Sequence, residues 1–363
     1  MIFYLGITTI VMVLSWYVKR DVKVSTREYV RENLRSRYAL VSIFAVLFLV
    51  SSLRFRLGND YVNYLWIFED LWNGIDVSSE VGFNVLVRGY QILFGEFTFI
   101  PIFATVAAVT IYYMLKAVYE QMDSFFYGFL LFMLAGYYIN SMNTIRYYLA
   151  FAMVMYASKY MIQKEYCSFV GYVFIASTFH MTALLVIPTY WFATRKWGKI
   201  EYGIISLGVF SFLFMEDVYR TFIFRIYPYY ENSMYDTNTT SFFNLGKCLG
   251  IMVFAIIFYR YVKDNLYQEF YFKMNIIGLI LYSCCSFVPV ISRLAYYFIW
   301  TQIFLIANIV ANITSKRWKY RLGVGIGIVY LAFFLVFLRG ADVPGIKLVP
   351  YRTWITADWL WWD

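Results

Sequence analysis

Four cationic or titratable side chains stand inside or at the ends of long apolar runs: Arg54, Arg146, His180 and Arg293. Such groups are costly at membrane depth and default to functional hypotheses. Arg146 opens an apolar run in Asn-Ser-Met-Asn-Thr-Ile-Arg-Tyr-Tyr, with Asn143 one turn before it. It reads either as an interfacial anchor or as a bidentate clamp for phosphate, a role that suits the planar guanidinium. His180 is the only histidine, which excludes any mechanism that needs several imidazoles. It reads as a hydrogen-bonded packing residue, a general base or a phosphate contact. Arg293 follows Pro289 where two apolar runs turn back, and Arg54 completes the cationic set. Asp60 and Glu80 lie in the stretch 54–80, which holds two arginines and five acids. They either hold the arginines or accept a proton from a hydroxyl. Asp60, after the Gly58-Asn59 turn, reads as the organiser.

These residues must be positioned by membrane helices. Of the 363 residues, 62% are hydrophobic and only 15% charged, with mean hydropathy +0.61. Soluble domains are roughly 45–50% apolar and about 25% charged. Apolar runs of about 13 to 22 residues exclude a β-barrel, and lipid leaves an open backbone unsatisfied. The expected fold is all-α: a polytopic integral membrane helical bundle forming a single domain, 1–363, with about 11–12 transmembrane helices. The net charge of +9 is spread over several loops, which suits their cytoplasmic retention and not nucleic-acid binding. Cys167, Cys248, Cys284 and Cys285 show no paired spacing in a polar region, so neither a disulfide framework nor a zinc site is expected. The absence of an acidic Asp-x-Asp cluster points to no metal and no cofactor.

Spans are expected over 2–18, 38–53, 98–118, 125–140, 146–163, 200–216, 245–262, 273–291, 293–313 and 321–338. The loop 19–37 carries seven Lys/Arg against three acids and should be cytoplasmic. So should 195–199, 260–273 and 316–321. Loops 54–80 and 217–243 and the tail 339–363 then lie outside. Two segments leave alternatives open. Either 81–94 crosses and 167–192 is one long tilted helix, or 81–94 is a re-entrant or interfacial helix and 167–192 is two short helices meeting near His180. The second is favoured, because it puts Lys116, Lys159 and Lys164 inside and Arg146 and His180 outside. The loop 217–243 combines Tyr227, Tyr229, Tyr230 and Tyr235 with Asn and Asp. It suits either a saccharide surface or a helix in the headgroup layer. Trp354–Trp362 reads as an interfacial anchor.

Arg54-(x)3-Gly58-x-Asp60-Tyr61-(x)2-Tyr64, Glu80-x-Gly82-Phe83, Asn143-x-x-Arg146, Phe179-His180-x-x-Ala183-Leu184 and Arg293-(x)3-Tyr297 together resemble the EpsG/Wzy-like family of bacterial exopolysaccharide, capsule and O-antigen polymerases. The resemblance covers about residues 50–300. Asn59, Val81 and Tyr147 depart from the family pattern, each beside a charged position and not on one. The resemblance implies a membrane glycosyltransferase in the bacterial cytoplasmic membrane, with its active site facing outward. It would join undecaprenyl-diphosphate-linked oligosaccharide repeat units, with lipid diphosphate as the leaving group and no metal. Catalytic candidates are His180, Glu80, Arg146 and Arg293. Substrate-binding candidates are Arg54, Asp60, Tyr61, Tyr64, Asn143, Tyr297, Tyr229 and Tyr230. The partners implied are the lipid-linked oligosaccharide, the bilayer, and a chain-length regulator and flippase of the same pathway. A flippase, an O-antigen ligase and an acyltransferase remain as other readings.

Overall fold

The computed structural model describes residues 1–19, 27–95, 99–226, 228, 231–232, 241–261, 265–285, 287–288, 291–342 and 346–355. The described residues form α-helices with two short 3-10 turns, and their only β-type pairing is an isolated bridge between Arg54 and Thr353. The helices are α1 Ile2–Ser15, α2 Arg27–Ser52, α3 Tyr61–Trp72, α4 Val81–Phe94, α5 Phe99–Gln121, α6 Phe125–Leu134, α7 Tyr137–Asn140, α8 Ile145–Ile162, α9 Tyr166–Ser177, α10 Val186–Thr194, α11 Lys199–Phe214, α12 Glu216–Ile226, α13 Phe242–Ile257, α14 Leu266–Cys284, α15 Ile291–Ile299, α16 Thr301–Asn312 and α17 Lys316–Gly340.

α8 is the centre of the bundle. Fifteen of its eighteen residues are buried, as expected for a helix apolar on every face and enclosed by others. It packs between α5 and α9. α16 is similarly enclosed, with Thr301 to Val310 all buried, whereas α11 buries no residue and leaves an apolar surface suited to lipid. Side-chain amides cross-link the enclosed helices. Gln121 accepts from Ser158 at 2.9 Å and from Tyr271 at 3.0 Å, and Gln302 donates to Asn275 at 2.7 Å. These bonds satisfy amides that are buried away from solvent.

The polytopic all-α bundle is what composition required. Among the described residues four helical stretches are individually long and apolar enough to cross a membrane: 31–52, 99–121, 293–312 and 316–340. α11 and α12 pass the same test together but are bent by 80°. Other expected spans are built from shorter pieces. The run 125–140 breaks into α6 and α7 at Gly136, which has φ +78°, a conformation open to glycine. The run 273–291 begins early, because Asn265 caps α14 by accepting from the Tyr267 N–H, so residues 266–272, with Gln268 and Glu269 among them, are helical too.

Of the two ambiguous segments, 167–192 takes the two-helix form. α4 has fourteen residues, about 21 Å of helix against a hydrocarbon core of about 30 Å, and lies against α3 and α5. The alternative single helix over 167–192 does not form. α9 ends at Ser177, residues Met181–Leu185 make a 3-10 turn, and α10 folds back, so that the rings of Phe169 and Tyr190 stack at 5.8 Å. His180 sits at the tip of this hairpin. The hairpin base and the end of α8 are tied to the start of α14, where Lys273 donates to the Arg195 carbonyl at 2.5 Å and Gln163 to the Tyr267 hydroxyl at 2.7 Å. The tip therefore returns to the end of the bundle where α8 begins, at Arg146.

The segment 346–355 also closes on that end. Phe55 N–H donates to the Arg352 carbonyl at 2.9 Å, Trp354 N–H to Leu53 at 3.1 Å and Gly58 N–H to Lys347 at 2.9 Å. Tyr4 and Tyr351 hydroxyls donate to Leu348 and Val50. Trp354 is thus part of a backbone clasp; residues 356–362 of the expected anchor lie outside the described residues.

Candidate active site

Glu80 is the N-cap of α4, and its position is fixed by its neighbour Gly82. The Gly82 N–H donates to the Thr178 carbonyl at 2.9 Å, which locks the start of α4 onto the end of α9. A β-carbon at Gly82 would stand 2.7 Å from the Thr178 β-carbon, so only glycine allows this approach. Two residues on either side of the contact, Glu80 and His180 meet, with Glu80 Oε1 3.2 Å from His180 Nδ1. The other carboxylate oxygen, Oε2, accepts from Arg146 Nη1 at 2.6 Å. One half-buried carboxylate therefore bridges the lone imidazole and the arginine of α8.

Arg146 is flattened against aromatic faces. Its guanidinium carbon lies 5.5 Å from the Phe83 ring centroid and 5.8 Å from that of Tyr64, within range of cation–π attraction. Tyr147 supports the other side of the cluster. Its ring meets His180 edge-on at 5.3 Å and Tyr297 at 5.3 Å, and its hydroxyl donates to the Arg293 carbonyl at 2.7 Å. The start of α15 is pinned in this way beside the start of α8. Asp60 completes the set, with Arg293, Thr144 and Arg146 as its electrostatic neighbours. The Asn59 N–H donates to Asn143 Oδ1 at 2.7 Å, which fastens the Asp60 turn to the loop before α8. The turn needs Gly58, at φ +92°, where a β-carbon would meet the Asn143 α-carbon at 2.9 Å.

The two carboxyls are tuned in opposite directions. Burial pushes Glu80 up, but the His180 hydrogen bond and the Arg146 charge outweigh it and hold the group below the ordinary carboxylate range. For Asp60 burial wins over Arg293, the Thr144 hydrogen bond and Arg146, so its carboxyl is raised. Because ionised Glu80 only accepts, the facing His180 Nδ1 must carry the proton. In the neutral tautomer that this contact selects, Nε2 is the nitrogen that holds the lone pair.

Of the residues expected from the sequence, Glu80, Arg146 and His180 touch directly. Asp60, Tyr64, Arg293 and Tyr297 form the next ring, and Asn143 holds the turn. The Tyr297 hydroxyl lies against Thr182, and neither oxygen has a hydrogen-bond partner of normal geometry. Arg54 does not join the cluster. It is 3% exposed, donates to the Ser51 carbonyl at 2.5 Å and stacks over Phe103 at 4.9 Å. Tyr61 is likewise packed, its ring stacked on Phe103 at 4.7 Å. Tyr229 and Tyr230 lie outside the described residues. Gly82, Phe83, Thr144, Tyr147 and Thr178 also build the site and are absent from the candidates that the sequence offers. The Glu80-x-Gly82-Phe83 spacing was the one available signal, since a glycine two residues after an isolated acid marks a close approach.

A sequence profile of the EpsG family matches residues 37–353, which takes in the whole cluster and all but the last two residues of the clasp that closes on it. The chain belongs to the EpsG family. Membership makes it a membrane protein of a family associated with polysaccharide polymerisation. No curated protein and no solved structure matches the chain.

Proposed function

We propose that this EpsG-family chain joins undecaprenyl-diphosphate-linked oligosaccharide repeat units into a surface polysaccharide, by inverting glycosyl transfer at the outer face of the bacterial cytoplasmic membrane. The observation that carries the reading is the Glu80 carboxylate bridging His180 and Arg146. Transfer breaks the bond between the anomeric carbon and the diphosphate oxygen, whose electron pair stays with the leaving diphosphate. Arg146 spends one of its five N–H donors on Glu80 and keeps others for that developing charge, and Arg293 presents a second guanidinium from α15. The attacking sugar hydroxyl gives its proton to His180 Nε2, and Glu80 stabilises the imidazolium that results. The role of the carboxylate is thereby orientation and charge balance, because both its oxygens are engaged. The reaction uses one inversion and forms no covalent enzyme intermediate.

Purified protein in liposomes, supplied only with lipid-linked repeat units, is expected to build a ladder of polymers. Movement of the units across the bilayer without polymer would identify a transporter instead, and a requirement for a different acceptor would identify a ligase or acyltransferase.

The outward placement follows from the basic loops. In a cysteine-free background, Asp76→Cys should react with an impermeant maleimide added outside intact spheroplasts, and Lys196→Cys only after the membrane is opened. Both positions are exposed. The reverse pattern would put the site on the cytoplasmic face and sink the placement.

A further inference from the structure

Beside the Glu80–Arg146–His180 cluster the core is divided. Cys248, Tyr282, Ala295 and Ile299 pack as a small group of their own, and Tyr296 on α15 touches both this group and the main core. The helices along the seam are interrupted, α6 from α7 at Gly136, α7 from α8 over 141–144, and α14 from α15. Interrupted backbone at membrane depth is tolerated where it is enclosed by protein or faces a wet cavity, and broken helices are a common way to build a binding site there.

Four tyrosines from four helices converge on the seam: Tyr137 of α7, Tyr148 of α8, Tyr296 of α15 and Tyr330 of α17. The Tyr137 and Tyr296 rings meet edge-on at 6.2 Å, and the Tyr137 oxygen has Tyr148, Tyr282, Tyr296 and Tyr330 as its electrostatic neighbours. Among the described residues none of the four hydroxyls has a hydrogen-bond partner, and none of the four side chains is fully enclosed: Tyr137 is 7% and Tyr148 6% exposed, and Tyr296 and Tyr330 are half-buried. An inward-facing phenol normally finds a partner. Four that find none in the protein, yet are not fully enclosed, need hydroxyls brought from outside.

We propose that this tyrosine-lined seam binds the saccharide part of the lipid-linked substrate, an assignment that rests on the polymerase reading above. A sugar ring offers apolar C–H faces to the aromatic walls and hydroxyls to the phenol oxygens, which is the mixture that few-polar, mostly apolar sites recognise. The four carry no charge and so do not select phosphate; the arginines do. An isoprenoid chain would leave every phenol unpaired. The seam is also continuous with the reacting centre, since the Tyr147 ring lies 5.2 Å from Tyr148 and 5.3 Å from His180.

The test is binding of repeat-unit oligosaccharide, released by mild acid from the producing strain's own lipid-linked intermediates and so free of diphosphate. It is measured by saturation-transfer NMR and calorimetry on the purified full-length protein. Wild type should bind, and Arg146→Ala should bind within about twofold of it. The double variant Tyr148→Phe/Tyr296→Phe, which keeps both rings, should bind at least about tenfold more weakly, at roughly 1 kcal/mol per lost hydrogen bond. Should the double variant melt early, Tyr330→Phe alone on the peripheral α17 should still weaken binding about fivefold. The proposal is overturned if wild type does not bind the oligosaccharide. Phe variants that bind like wild type, or binding lost in Arg146→Ala and kept in the Phe variants, would overturn it as well. The polymerase reading fails separately, if Arg146→Ala still extends chains.

Discussion

Arg146→Ala is expected to abolish chain extension while the protein still reaches the membrane and single repeat units still reach the cell surface. The lost group is the one that faces the leaving diphosphate and also neutralises one oxygen of Glu80. Removing a preorganised donor to developing charge typically lowers a rate by about 10²–10³. Here the substitution also leaves a half-buried carboxylate with His180 as its remaining side-chain partner, so the imidazole is no longer held by a carboxylate that Arg146 fixes in place. Both effects act on the chemical step. Arg146→Lys should recover only part of the activity, because a point charge replaces neither the forked geometry nor the stacking on Phe83 and Tyr64. The measurement is polymer length on a gel of surface polysaccharide, with protein level and melting temperature as controls. Near-wild-type lengths from Arg146→Ala, at normal protein level, would remove the arginine from the mechanism.

The sequence made Arg146, His180 and Glu80 conspicuous for one reason: charge in an apolar chain is rare and each instance demands a cause. It could not show that Glu80 touches both of the others. That depends on Gly82 seating against Thr178, ninety-six residues away in the chain, a contact with no periodicity to reveal it. Arg54 shows the converse. In sequence it is an outer-loop arginine beside tyrosines, like Arg293, and it reads as part of the same anion site. The fold instead lays residues 346–355 across it, and a contact spanning some three hundred residues is invisible to local pattern. The expected spans 125–140 and 273–291 ran through the break at Gly136 and missed the cap at Asn265, because a single glycine or Asn inside an apolar stretch does not by itself stop a hydropathy run. The hairpin at His180 was legible only as one of two coupled alternatives, because apolar runs carry length but not direction.

The sharpest separation of roles comes from a double-mutant cycle on His180 and Glu80. If His180 Nε2 takes the acceptor proton and Glu80 holds the ring by Nδ1, the two act as one unit. His180→Ala should lower the turnover number by about 10²–10⁴, the usual worth of a positioned general base. Glu80→Gln keeps the side-chain shape but removes the charge. Its amide can donate as well as accept, so the ring is free to take the other tautomer, with the Nε2 lone pair lost. Its effect should approach that of His180→Ala without exceeding it. The double variant should then be scarcely slower than His180→Ala alone, since effects within one catalytic unit do not add. Substrate KM should change little in His180→Ala, because the diphosphate is held by the arginines. Strictly additive losses would mean that Glu80 and His180 act on different atoms, and Glu80 would then be assigned to Arg146 alone. Full activity in His180→Ala would leave the acceptor hydroxyl to lose its proton unaided, with the arginine-stabilised leaving group supplying the whole acceleration.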